Sequence, residues 1–485
     1  WTLRYWNHAT AKVYSILKDE IKKRLPSVKV RVNFGPPWAY GYCSYMRGAE
    51  IWEFARQNSV DDFWNEDWLN TSGWRNAGIQ MVSYLVDLSK SCAKINNADV
   101  SAFVMPVGGE DNIQLKLASV IGKGAKKIDV YRYGPAYASP DNWSQSQDMS
   151  AGVAKFTRKL EKAEDILFSG KPRDPEVAII WSASEPVWST DDASMWNNHL
   201  IYLALQHNQV PVDFVDEFMV EKGALKEYKV AILSAQYLRK ATKRSIADWV
   251  NNGGNLWMDG LPATGDEYGQ NCELLLPVIG IKDITVVDST INRSLNPQRG
   301  IYPAIITGSI YLDNNETIAG VGRRISFKPI NPSKTKIIAR WQDGAPAIIQ
   351  HAYGKGSVFY AGTYLGHSYN NGVERIPGKI EKGYTEKERN IITDFILKSG
   401  VSIPVWCSVG CIQTDLLETQ QGAGIVLSNY SGDPQKQIDI TVDARKPITS
   451  VISVEQGALK FYQNEKNKIV TFSLPLNVFD VITMK

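Results

Sequence analysis

Apolar positions along the first 170 residues switch between a helical and a strand period. Tyr5, Ala9, Val13, Ile16 and Ile21 recur at roughly helical spacing, which predicts a helix to about Leu25. The alternating run VKVRVNF then reads as a strand ending at Gly35. GAEIWEFARQN is helical in pattern, and VDDFWNE is a short strand with its end placed at Trp64. The helix NAGIQMVSYLVDLSKSCAKIN and the strand DVSAFVMPVGG, ending at Pro106, come next. NIQLKLASVIGKGAKK is a helix, IDVYRYG a strand ending at Tyr133, and AGVAKFTRKLEKAEDILFSG one closing helix. A helix between each pair of strands is the mark of parallel pairing, because parallel neighbours need a long crossover.

The loops after these strands are rich in Gly, Pro and aromatic residues: GPPWAYGY, WNEDWLN, PVGGED and YGPAYASPDNW. In a β/α barrel such loops build the active site, and a closed barrel needs eight strands. Residues 1–173 supply four, so they read as the C-terminal half of a TIM-type (β/α)8 barrel, with the other half upstream of this chain. Residues 174–403 read as a second α/β unit of doubly wound, flavodoxin-like pattern, with strands in PEVAIIWS, VPVDFVDE, YKVAILSAQY and NLWMDG. No G-x-G-x-x-G follows a strand and no P-loop is present, so no nucleotide is implied. Residues 404–485 become all-β, with short strands and turn residues that predict a small sandwich.

Composition narrows the function classes. The 485 residues carry a formal net charge of +3, without the basic footprint of a nucleic-acid binder. No window approaches the roughly 18 consecutive apolar residues of a membrane span. The five cysteines, Cys43, Cys92, Cys272, Cys407 and Cys411, form no disulfide framework in a chain this long. The spacing of Cys407 and Cys411 is no metal motif, so neither a metal nor another cofactor is implied.

The order of parts resembles the trimeric β-galactosidases of glycoside hydrolase family forty-two. LRYWNHATAKVYSILKDEIKKRLPSVKVRVNF resembles the family's helix and fifth barrel strand, VDDFWNEDW the sixth, SAFVMPVGG the seventh and GAKKIDVYRYG the eighth. EVAIIWSASEPVW resembles the start of its trimerisation domain, which is itself similar to class I glutamine amidotransferases. GIVLSNYSGD and VFDVITMK resemble its final sandwich. The resemblance implies a glycosidase acting on a β-linked sugar, assembled as a homotrimer. It also implies a nucleophilic Glu at the end of the seventh strand, where this chain has Pro106, and an acid/base Glu upstream of Trp1. The amidotransferase-like elbow has Ser234 and Ala235 in place of a cysteine, so glutaminase chemistry is not implied.

Glycoside hydrolysis needs two carboxyls at a defined separation, one of them protonated when it acts as acid. Within the chain the candidates are Glu66, Asp67, Glu110 and Asp111, all just after strands. Adjacent residues on a strand point to opposite faces, so Glu66 shares a side with Trp64 while Asp67 does not. Glu66 is the first catalytic candidate. Glu110 is the second, although GGEDN also reads as a helix N-cap box. Trp38, Trp64, Asp67, Trp68, Tyr131, Tyr133 and Trp143 are the candidate sugar-binding residues, rings that stack on a sugar face beside a polar group. Two readings remain open: a glycosidase completed by an N-terminal half or second chain, and a non-catalytic carbohydrate-binding or scaffold protein on the same architecture.

Overall fold

The computed structural model describes residues 2–35, 48–66, 80–105, 108–131, 146–189, 193–288, 305–376, 379–464, 466 and 468–485. The first segment alternates helix and strand: α1 (Thr2–Arg24), β1 (Arg31–Phe34), α2 (Ile51–Arg56), β2 (Asp62–Glu66), α3 (Met81–Ala93), β3 (Asp99–Val104), α4 (Glu110–Gly122), β4 (Lys127–Val130) and α5 (Gln147–Glu161). The four strands form one sheet in the order β1-β2-β3-β4, and every pairing is parallel. The closing helix is two pieces, α5 and Glu164–Ser169, with Lys162 and Ala163 between them.

The apolar stripe of α1 faces solvent: Tyr5, Val13 and Ile16 are exposed, while Asn7, Ala11, Ser15 and Lys18 are buried against the sheet unit. Lys18 explains the orientation, since its ammonium pairs with Asp61 at 3.0 Å and donates to the Val60 carbonyl at 3.1 Å. Among the described residues nothing covers the apolar stripe, and Val13 is 53% exposed.

The second segment centres on a nine-stranded sheet. Its parallel part is β6 (Val177–Trp181), β7 (Asp213–Asp216), β8 (Val230–Leu233), β9 (Asn255–Asp259) and β16 (Gly356–Ala361), in the spatial order β7-β6-β8-β9-β16. The chain between β9 and β16 is strand-rich, which the sequence reading passed over. It adds β11 (Ile306–Leu312), β12 (Thr317–Val321), β14 (Thr335–Trp341) and β15 (Pro346–Tyr353) as an antiparallel extension beside β16. A separate ribbon pairs β10 (Ile281–Asp288) with β13 (Arg323–Pro329).

The last segment contains two antiparallel sheets. One holds β17 (Val405–Cys407), β20 (Gln435–Asp443), β23 (Phe461–Gln463) and β24 (Ile469–Leu476). The other holds β18 (Ile412–Glu418), β19 (Ala423–Asn429), β21 (Val451–Ser453), β22 (Gly457–Ala458) and β25 (Phe479–Met484), with β5 (Lys171–Pro172) added at the β18 edge. Ile425, Leu427, Ile440, Phe472 and Ile482 fill the space between the two sheets. The outer side of the second packs on α4 and α5 through Val426, Phe479, Val481 and Phe156.

A buried ammonium ties the three segments together. Lys123, at the end of α4, lies 3.2 Å from Asp87 of α3 and 2.9 Å from Asp415 of β18, and donates to Gln206 at 2.5 Å. Tyr202, on the same helix as Gln206 (Ala193–Gln206), donates to Asp87 at 2.7 Å. Burial pushes the Asp87 carboxyl up, but Lys123 and Lys90 overcome it and leave it below its ordinary value. Its stabilising contribution is therefore present above the ordinary carboxylate range and is lost as pH falls through the lowered value. Lys123→Met strands two buried carboxylates. It is expected to lower the unfolding free energy at neutral pH by about 3–5 kcal/mol and to shrink the loss of stability on acidification. Urea unfolding across pH measures both, and an unchanged midpoint would refute the role given to Lys123.

Candidate functional site

Side chains of successive strand residues alternate between faces, and parallel register fixes which of them are neighbours. Asn33 pairs with Trp64, Trp64 with Ser101, and Glu66 with Phe103. Phe103 in turn pairs with Asp129. These residues therefore share one face with Arg31, Asp62, Met105 and Tyr131. The opposite face carries Phe34, Phe63, Ala102 and Val104, buried beneath the helices, and there Ser89 of α3 donates to Asn65 at 2.8 Å.

The shared face is concave. Arg31 on the first strand and Asp129 on the fourth form an ion pair of 2.7 Å. In a flat sheet those strands would stand three spacings, roughly 14 Å, apart. A bridge between the two edges therefore requires the sheet to curl around it.

The concave face is layered. Its amino-terminal layer is charged: Asp62, almost fully buried, accepts from Ser101 at 2.8 and 2.6 Å and lies 3.7 Å from Lys127. Lys127 also pairs with Asp99 at 3.2 Å. The middle layer is aromatic. Trp64 meets Phe103 edge-on with centroids 4.9 Å apart, and Phe103 meets Tyr131 at 4.7 Å. The Arg31 guanidinium sits 4.2 Å over the Trp64 ring. At the carboxyl-terminal layer, the Asn33 amide donates to Glu66 at 2.9 Å.

The candidates of the sequence analysis fall into three groups. Trp64, Glu66 and Tyr131 come together on the concave face. One side of the Trp64 ring is held by Arg31, and Glu66 is half-buried beside Asn33. Glu110 opens α4 and pairs with Lys155 of α5, in the helical layer. The N-cap there is Gly109 and makes no side-chain capping bond, so the N-cap-box reading is corrected. Asp111 follows it in the first turn, its carboxyl raised by burial and by Glu110. Trp38, Asp67, Trp68, Tyr133 and Trp143, like Pro106, lie outside the described residues.

Sequence reasoning missed Asn33, Asp62 and Lys116. Lys116 is fully buried on α4, and its ammonium donates to the Met105 carbonyl at 2.8 Å, just where β3 ends. The only sign of it was a lysine inside the apolar run IQLKLASVIG. The carboxyl-terminal edge of the second sheet holds a polar knot. Asn197 donates to Ser234 at 2.9 Å and to both Asp259 oxygens at 2.8 Å, and the Leu365 amide donates to Asp259 at 2.8 Å. Burial raises the Asp259 carboxyl to about 7, against these donors. Ser234 is engaged by an amide and a carboxyl, with no histidine base beside it among the described residues.

Comparison with known proteins bears out the family resemblance. Residues 175–375 match the family described as Beta-galactosidase trimerisation domain. A beta-galactosidase of Geobacillus kaustophilus is 26% identical over 278 residues, 52% of this chain and 38% of that protein. The chain thus aligns with well under half the length of that relative. Among solved structures, a beta-galactosidase from Bacillus circulans sp. alkalophilus superposes with a TM-score of 0.70 at 11% identity, covering 100% of this chain and 67% of that one. The E-to-A catalytic mutant of Gan42B, a GH42 beta-galactosidase from G. stearothermophilus, superposes with a TM-score of 0.66 at 14% identity, covering 97% and 66%. The mixed α/β fold is that of these enzymes.

Lys116→Met removes the donor beneath the end of β3 and leaves the Met105 carbonyl without that bond. The expected cost is about 1–3 kcal/mol of unfolding free energy, read by urea denaturation. A loss under half a kcal/mol would show that the ammonium is dispensable there.

Proposed function

We propose that this chain is the C-terminal part of a glycoside hydrolase acting on a β-linked galactoside. In this reading residues 1–173 are the second half of a (β/α)8 barrel. Residues 174–403 are a flavodoxin-like trimerisation domain and residues 404–485 a β-sandwich. The carrying observation is the concave parallel sheet, with Glu66 and Trp64 on its inner face at the end where β/α barrels place their chemistry. The exposed apolar stripe of α1 supports an N-terminal half, because a barrel helix packs on its neighbours as well as on its strands. The likeness to beta-galactosidases over the whole chain supports the substrate class.

Glu66 is the site carboxylate in this proposal. Asn33 fixes its orientation, and the Trp64–Phe103–Tyr131 column walls its inner side. The missing half supplies the second carboxyl. Assembly is by the second domain, which exposes Val286, Val287, Ile306 and Tyr311. Exposed apolar side chains of this kind suit a subunit interface in a cyclic trimer.

The test uses the full product of the gene, assayed on aryl β-galactosides and sized by light scattering. We expect turnover by a trimer. Glu66→Gln keeps the shape and the Asn33 contact, and is expected to lower kcat by about 100- to 10,000-fold, as loss of an acid/base group does. No turnover by the wild type on any aryl glycoside would favour the binding-protein reading. Full activity in the Glu66→Gln variant would remove Glu66 from the chemistry.

A further inference from the structure

Arg389, on the helix Glu386–Lys398, is 8% exposed and cannot shed its proton. Among the described residues no carboxylate lies within ion-pairing distance of it, and its Nε has no hydrogen-bond partner. Nη1 lies 3.8 Å from the Cys411 sulfur, and Tyr369 is a further neighbour. Burial pushes the Cys411 thiol up despite the nearby guanidinium, and Tyr369 is raised further still, so neither supplies a negative charge at neutral pH. Gly410 lies flat against the guanidinium and leaves no room for a side chain there. A buried, uncompensated cation costs several kcal/mol.

Arg389 and Cys411 line a cavity of about 260 Å³. Tyr384, Tyr430, Ser431 and Lys382 complete much of its wall, and Lys382 pairs outward with Asp433 at 2.5 Å. Glu381 and Glu386 also reach the cavity, but neither pairs with Arg389. We propose that this cavity is a binding site for a small oxyanion, a carboxylate, sulfate or phosphate group, seated against Arg389. The anion supplies the ion-pairing partner that Arg389 lacks among the described residues.

The site is also wired into the frame of the molecule. Tyr369 donates to His207 Nδ1 at 2.7 Å, and His207 Nε2 donates to the Gln80 side-chain oxygen at 2.6 Å. This polarity fits a neutral imidazole, which burial favours by pushing His207 down to about 3. Gln80 donates to Gln413 at 2.8 Å, and Gln413 to Asp415 at 2.5 Å, where Lys123 is held. Gln80 stands at the start of α3, on the connection leading from β2 and Glu66.

The probes are formate, sulfate and inorganic phosphate, titrated into the protein by thermal shift and calorimetry, with selenate soaked into crystals. We expect saturable binding of at least one of them, and an anomalous selenium peak within hydrogen-bond distance of Arg389. The preferred ion among the three arms identifies the oxyanion. Arg389→Met is expected to weaken binding about tenfold or more, and Arg389→Lys less. Affinity that is the same in wild type and Arg389→Met overturns the proposal, as does a selenium peak that lies only elsewhere. Should Arg389→Met fail to fold, the wild-type anomalous map decides alone: an empty cavity at saturating selenate refutes the site.

Discussion

A parallel sheet has to be covered on both faces, because its crossovers lie against it and its strands have no solvated side. Among the described residues, helices cover the β1–β4 sheet on one face only. Its helical side is filled by Phe34, Phe63, Ala102 and Val104. Its concave side carries an ion pair from edge to edge, a buried Asp62–Ser101 pair and a column of three rings, with Arg31 and Asp129 still substantially open to solvent. Such a face is built to be an interior. The proposed barrel follows from it, and so does the position of Glu66, at the end of the face where loops rather than strands close the structure.

The frame that holds this sheet is polar where its parts meet. Lys123 joins the sheet unit, the second α/β unit and the sandwich through two carboxylates and an amide, all buried. A continuous chain of donors runs from Tyr369, beside Arg389, through His207, Gln80 and Gln413 to Asp415. Buried polar networks are costly when incomplete, which ties the relative placement of these elements to their full satisfaction. Glu66 owes its surroundings to that frame as well as to its own strand.

The sequence made the local periods visible. The β/α alternation yielded the parallel sheet, and strand parity alone put Glu66 on the same face as Trp64. The helical spacing of Tyr5, Val13 and Ile16 marked a helix with an apolar stripe, but not which way the stripe faces, since a pattern says that a face is apolar and not what covers it. The antiparallel extension between β9 and β16 escaped notice because its strands are irregular: β14 and β15 pair with register shifts, and Tyr311 and Ile306 face outward. Lys116, Lys123 and Arg389 were illegible for a different reason. Each is a charge in or at the end of a helix, and only a partner far away in the chain distinguishes a buried cation from a solvated one.

The central claim is that the open side of the sheet unit, α1 included, is covered by further polypeptide in the working protein. Thiol labelling of Val13→Cys in the full gene product, read by peptide mass spectrometry, measures that cover directly. The account expects labelling at least about a hundredfold slower than for an exposed thiol, since a buried thiol is inert. Labelling at the rate of an exposed thiol would show that the α1 stripe faces water in the working protein and would contradict the proposed barrel.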